Sequence, residues 1–186
     1  MCAIQEQISD LIQTLHRCEA LAPQIEATGR TLIQSLRAGH KILSAGNGGS
    51  AADATHLAEE LVARFLSNRR SLPAICLNSD GPLLTCIGND FGFEAVFSRQ
   101  LEGLGCSGDV FVAFSTSGQS ANLIQALRVA REKQITCIAL LGKDGGAMKE
   151  LADHAIVVPS SVTARIQEVH TLIMHLWMHR VEQESW

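Results

Sequence analysis

The stretch Lys41-Ile42-Leu43-Ser44-Ala45-Gly46-Asn47-Gly48-Gly49-Ser50 decides the fold. A short apolar run ends in a glycine-rich turn, and Ala51–Phe65 continues at helical spacing, so the segment reads as strand, loop, helix. The rhythm recurs downstream. Strands are predicted over Lys41–Ala45, Ala74–Asn78, Val110–Ser115, Thr136–Leu141 and Ala155–Val158. Helices are predicted over Ala51–Phe65, Ala121–Lys133 and Gly146–Leu151, with a partly helical region from Leu83 to Leu104. Strands alternating with helices imply an α/β three-layer sandwich around a central parallel sheet. Upstream, Ile4, Ile8, Leu11, Ile12 and Leu15 share one helical face, and Ile25, Leu32, Ile33 and Leu36 share another before Gly39. These stripes predict an N-terminal helical hairpin, with Pro23 near the start of its second helix. Thr163 to about Glu184 reads as one long C-terminal helix with Ile166, Val169, Leu172, Ile173, Leu176 and Trp177 on its apolar face.

The 186 residues, 46% hydrophobic, suit a single domain, with residues 1–40 as an oligomerising hairpin and 41–186 as the α/β core with its C-terminal helix. Fifteen Lys and Arg against 19 Asp and Glu give a net charge of −4, which excludes the basic footprint of a general nucleic-acid binder. With 18% charged residues and a mean hydropathy of +0.13, the chain carries an apolar surplus. No membrane span accounts for it: the long uncharged window Val110–Leu127 holds Ser115, Thr116, Ser117, Gly118, Gln119, Ser120 and Asn122. The N-terminus, with Gln5, Glu6 and Asp10, does not read as a signal peptide, so the expected compartment is the cytoplasm. There Cys2, Cys18, Cys76, Cys86, Cys106 and Cys137, with no C-x-x-C pair, read as small hydrophobes. The surplus is therefore expected at subunit interfaces formed by the hairpin and the C-terminal helix.

In open parallel sheets, ligands bind at the carboxyl ends of the strands. Two loops fall there. Gly46-Asn47-Gly48-Gly49-Ser50 lets backbone N–H groups approach an anion at a helix N-terminus. Ser115-Thr116-Ser117-Gly118-Gln119-Ser120 offers hydroxyls around a glycine, a neutral cradle suited to a monophosphate that must be released. Gly46-x-Gly48-x-x-Ala51 also fits a loose dinucleotide pattern, but the acidic residue that reading requires about 20 positions on is replaced by Arg69 and Arg70. His56 and Glu60, four apart, share a helical face and could bind a metal or exchange a proton. In the last helix Gln167, His170, His175 and His179 interrupt the apolar residues.

Five motifs now stand in order: Gly46-Asn47-Gly48-Gly49-Ser50 with Asp53, His56, Glu59 and Glu60; Asn89-Asp90-Phe91-Gly92; Ser115-Thr116-Ser117-Gly118-x-Ser120-Ala121-Asn122; Gly142-Lys143-Asp144-Gly145-Gly146; and Ala164-Arg165-Ile166-Gln167-Glu168-Val169-His170. Together they closely resemble the phosphoheptose isomerases of the sugar isomerase (SIS) domain family, over nearly the whole chain. The resemblance implies a flavodoxin-like topology and conversion of sedoheptulose 7-phosphate to glycero-manno-heptose 7-phosphate through an enediol, a step toward lipopolysaccharide heptose. It implies Glu60 as general base and His175 as general acid. It further implies one zinc per subunit held by His56, Glu60, Gln167 and His175. Asn47, Gly48, Gly49, Ser50, Glu60, Asn89, Asp90, Ser115, Thr116, Ser117, Ser120 and Gln167 would line the substrate site, in a homotetramer with sites where subunits meet.

A carboxylate with an imidazole suits proton transfer between adjacent carbons. Geometry adds a condition. Gln167 and His175 are separated by roughly 12 Å along a straight helix, while a side chain plus a metal bond reaches about 6 to 7 Å. These two are therefore expected to reach one site from different subunits, or from a bent helix. Ala164 replaces an aspartate found in some relatives. The surrounding segment is similar to a non-catalytic relative, the tetrameric adapter that binds the replication initiator DnaA. That adapter does not keep the His56, Glu60 and His175 set, and the set's presence here argues for catalysis.

Overall fold

A computed structural model describes residues 2–186. In chain order its elements are α1 (Ala3–Cys18), α2 (Ala22–Arg37), β1 (Ile42–Gly46), α3 (Gly49–Val62), β2 (Ala74–Cys76), α4 (Gly81–Phe91), α5 (Ser98–Leu104), β3 (Val110–Ser115), α6 (Ala121–Glu132), β4 (Thr136–Leu141), α7 (Met148–Leu151), β5 (His154–Val157) and α8 (Thr163–Glu182). The five strands form one parallel sheet in the order β2-β1-β3-β4-β5. From β1 the chain winds outward to β2, then returns to β3 and proceeds the other way. The crevice between β1 and β3 is therefore the topological switch point, where such sheets bind ligands.

Both faces of the sheet are buried, as the uninterrupted apolar runs require. Ile42, Val110, Val112, Phe114, Ile138 and Leu140 point toward α2, α3 and α8, while Leu43, Phe111, Ala113, Cys137 and Ala139 point toward α5, α6 and α7. The alternation follows from the two-residue period of a strand. Trp177 fixes α8 on α2: its ring is buried and its Nε1 donates to the Ile25 carbonyl and to Thr28 Oγ1, both at 3.1 Å.

Element boundaries differ from expectation where glycines and side chains intervene. Helix α7 begins at Met148 rather than Gly146, because Gly145 and Gly146 have φ of +88° and +51°, outside the helical range. Strand β2 ends at Cys76 rather than Asn78; the Asn78 side chain instead brackets Gly46, accepting from its N–H and donating to its carbonyl.

The apolar surplus is divided. Leu32, Ile33 and Leu36 of α2, expected to be available for an interface, are consumed by the chain's own core. Ile4, Ile8 and Ile12 of α1 and Leu172 and Leu176 of α8 remain exposed. Between α1, α2 and α8 lies an apolar groove of about 630 Å³. No helix among the described residues is long and apolar enough to cross a membrane.

Candidate active site

The two loops flank the switch-point crevice. Asn47, after β1, and Asn122, in the first turn of α6, exchange amide hydrogen bonds: Asn47 Nδ2 donates to Asn122 Oδ1 at 3.0 Å, and Asn122 Nδ2 to Asn47 Oδ1 at 2.9 Å. Asn122 Oδ1 also accepts from the Leu123 N–H. Beside them, Gly46, Asn47, Gly48, Asn78, Thr85 and Gly88 contribute to a cavity of about 460 Å³, closed on one side by Phe93 and Phe97.

The serine loop is shaped from within. Ser115 is buried; its Oγ accepts from the Gly118 N–H at 3.1 Å and lies 3.3 Å from Ser120 Oγ. Ser117 Oγ accepts from the Gln119 N–H at 3.2 Å, while Thr116 is half-buried beside it. Ser120 caps α6 without a side-chain bond to its first turn, leaving backbone donors there for an anion. The loop stacks on the Gly142-Lys143-Asp144-Gly145-Gly146 turn. A Cβ on Gly118 would sit 2.0 Å from the Gly145 carbonyl oxygen, and the Gly118 carbonyl accepts from the Met148 N–H at 3.0 Å. That turn, recognised in the sequence only by resemblance, thus serves as the floor of the serine loop.

Helices α3 and α8 run side by side as a ladder. At its start, Gly49 faces Gln167, whose Nε2 would stand 2.5 Å from any Cβ added to the glycine. One turn on, Thr171 Oγ1 donates to Asp53 Oδ1 at 2.9 Å. At the far end, His56, Glu60 and His175 place ligand-capable atoms within 4.8 Å of one another. His56 Nε2 lies 3.1 Å from Glu60 Oε1, and the His56 ring meets the His175 ring edge-on at 5.1 Å between centroids. Phe65 stacks on the other side of His175 at 5.6 Å and meets His179 edge-on at 4.9 Å.

The chain thus gathers three of the four residues expected at a metal. Gln167 stands at the opposite end of the ladder, about 12 Å of helix rise from His175, and α8 is an unbroken helix between them. Two imidazoles and a carboxylate leaving an open position form a donor set that fits zinc. Asn89 and Asp90 lie exposed at the end of α4, bonded to each other at 2.8 Å and next to Gly88 of the cavity wall. Ser50 is buried in the first turn of α3.

Two ionisable groups behind the site are perturbed. Burial pushes the Asp53 carboxyl above its usual range, against the Thr171 hydrogen bond and the nearby His56; its Oδ2 has no partner. Burial pushes His170 down to about 4, although its bond to the Leu141 carbonyl favours the charged form. Neither the Asp53–Thr171 bond nor the Phe65 stack was legible in the sequence, since both depend on how two distant helices pack. Asn78 had a weak signal: a polar residue at a strand's carboxyl end.

The site thus comprises two loops at the switch point of a parallel sheet and, toward the far end of α3, a His-Glu-His cluster. The SIS domain family model matches residues 6–142. A phosphoheptose isomerase of Sulfurimonas denitrificans is 48% identical over 184 residues, 97% of this chain and 94% of that one. One from Geobacter sp. (strain M21) is 51% identical over 164 residues, 88% and 85% of the two chains. The structure of a phosphoheptose isomerase from Neisseria gonorrhoeae superposes with a TM-score of 0.93 at 39% identity, covering 97% of each chain. The chain belongs to the SIS domain family and, within it, to the phosphoheptose isomerases.

Proposed function

We propose that this protein is an aldose–ketose isomerase converting D-sedoheptulose 7-phosphate to D-glycero-D-manno-heptose 7-phosphate. The observation that carries the reading is the meeting of His56, Glu60 and His175 at the end of a helix whose N-terminus forms one of the two anion loops. The same set is what the DnaA-binding adapter does not keep, which favours catalysis over that alternative.

In this reading Glu60 removes a proton from C1 of the ketose while His175 protonates the C2 oxygen, giving an enediol. The O1 proton then passes to the now-neutral His175 as Glu60 returns its proton to C2, so the aldose results with both groups restored. One carboxylate thus serves both carbons, so no net proton is consumed. His56, Glu60 and His175 would hold a zinc ion, with Gln167 as a further donor. Zinc there would supply Lewis-acid polarisation of the carbonyl or hold the site's geometry. The serine loop and the first turn of α6 take the phosphate, while Asn47, Gly48, Gly49, Ser50, Asn89 and Asp90 line the sugar.

The ladder supports a site shared between copies. Gly49 and Glu60 are separated by about 16 Å of helix rise, so one chain holds its anion loop and its acid–base pair at opposite ends of α3. A homotetramer would let one copy's Gln167 and loops face another's His175. The apolar stripe of Ile4, Ile8 and Ile12 with Leu172 and Leu176 gives such an assembly a surface. A cytoplasmic location and a role in supplying lipopolysaccharide heptose follow from the same family likeness.

The test is an isomerase assay on sedoheptulose 7-phosphate with chelator and zinc added separately, on wild type, Glu60→Gln and His175→Gln. Turnover by wild type with losses of roughly 10²- to 10⁴-fold in the variants is expected. A wild type without turnover that captures a DnaA-type partner would sink the enzyme reading.

A further inference from the structure

Arg69, which stands where a dinucleotide site would need an acid, has no part in the chemistry above, yet its side chain is only 7% exposed. Its guanidinium ends α3: Nη2 donates to the Glu60 carbonyl at 2.5 Å, and Nη1 to the Leu61 carbonyl at 2.8 Å. These last-turn carbonyls have no partner within the helix, and a cation suits the negative end of its dipole. Nε faces Glu182 Oε1 at 3.5 Å as an ion pair without hydrogen-bond geometry, both atoms being buried and otherwise unpartnered, and Glu182, 10% exposed, is the last residue of α8. Glu182 Oε2 accepts from the Ser67 N–H at 3.0 Å, which pins the segment carrying Phe65 against His175.

We propose that Arg69 and Glu182 are positioning residues for the acid–base pair: their buried ion pair ties the end of the helix bearing Glu60 to the end of the helix bearing His175. The proposal rests on the roles assigned above to those two residues. A planar fork is required, because one guanidinium bonds two carbonyls and faces a carboxylate at once; an ammonium cannot reproduce that geometry. The anion loops lie at the other end of α3, so loosening this lock would disturb proton transfer and leave phosphate binding intact.

The experiment compares full-length wild type with Arg69→Lys, Glu182→Gln and the double variant. On sedoheptulose 7-phosphate, kcat should fall roughly 10- to 100-fold in each single variant, with KM within about twofold. The double variant should be little worse than Arg69→Lys, as expected of residues acting as a unit. Independently of turnover, Co²⁺ titrated into the metal-free protein should bind about tenfold more weakly to the variants, with altered visible absorption. Melting curves establish the folded fraction. Unchanged kcat per folded molecule and an unchanged Co²⁺ spectrum, with only a lower Tm, would overturn the proposal. If Arg69→Lys does not fold, Glu182→Gln decides by the same readouts, since it keeps both carbonyl bonds. A wild type inactive on the heptulose would defeat the isomerase reading, and the Co²⁺ comparison would then decide the positioning role alone.

Discussion

Asn47 and Asn122 close a two-way amide pair across the mouth of the sheet, joining the loop after β1 to the helix after β3. Each amide uses one donor and one acceptor on the other, so the pair sets the spacing of the two anion loops. Replacing Asn122 with Ala strands the Asn47 amide and should cost about 1 to 3 kcal/mol. Urea unfolding measures this. The double Ala variant should cost clearly less than the sum of the two singles, and additive losses would show that the pair is not coupled.

The Asp53–Thr171 bond is the middle rung of the α3–α8 ladder, and it bears on a buried carboxylate whose second oxygen is unpartnered. Thr171→Val removes the donor at nearly constant shape and should destabilise by about 1 to 3 kcal/mol. Asp53→Asn keeps an acceptor for Thr171 and removes the buried charge, so its stability at pH 8 should match or exceed wild type. A chemical denaturation series that ranks Asp53→Asn below Thr171→Val would contradict this account.

His170 makes stability depend on pH in a defined direction. Its pKa is lowered to about 4 in the folded chain, so the unfolded chain binds the proton first as the solution is acidified. The contribution is fully present above the unfolded value of about 6.5 and is lost as pH falls from there toward 4, up to about 3 kcal/mol in all. His170→Asn, which can still donate to the Leu141 carbonyl, should flatten that part of the curve. Melting temperatures between pH 7.5 and 4.5 provide the check, and parallel curves for the two proteins would count against it.

Gly118 holds a φ of +63° with no room for a Cβ above the Gly145 carbonyl. Gly118→Ala should therefore shift the serine loop off its floor. We expect KM for the sugar phosphate to rise by about tenfold or more and the melting temperature to fall as well, because the added Cβ meets backbone at a positive φ beside the bond to buried Met148. A normal KM would mean the loop does not grip the phosphate.

The linear chain already contained the sheet and its loops. Short apolar runs at Val110–Ser115 and Thr136–Leu141, glycines at residues 46, 48 and 49, and hydroxyls from 115 to 120 are local patterns, and local patterns determine local backbone. His56 and Glu60 were legible as a pair because four residues bring side chains to one helical face. What the chain alone left open was contact between elements far apart in sequence. That α3 and α8 pack in parallel, with Gln167 beside Gly49 and His175 beside His56, follows from the helices docking on one face of the sheet. The same packing buries Leu32, Ile33 and Leu36 of α2 and leaves Ile4, Ile8 and Ile12 of α1 exposed, although both stripes looked alike as patterns. A helical stripe specifies which face is apolar; only the tertiary structure decides what covers it.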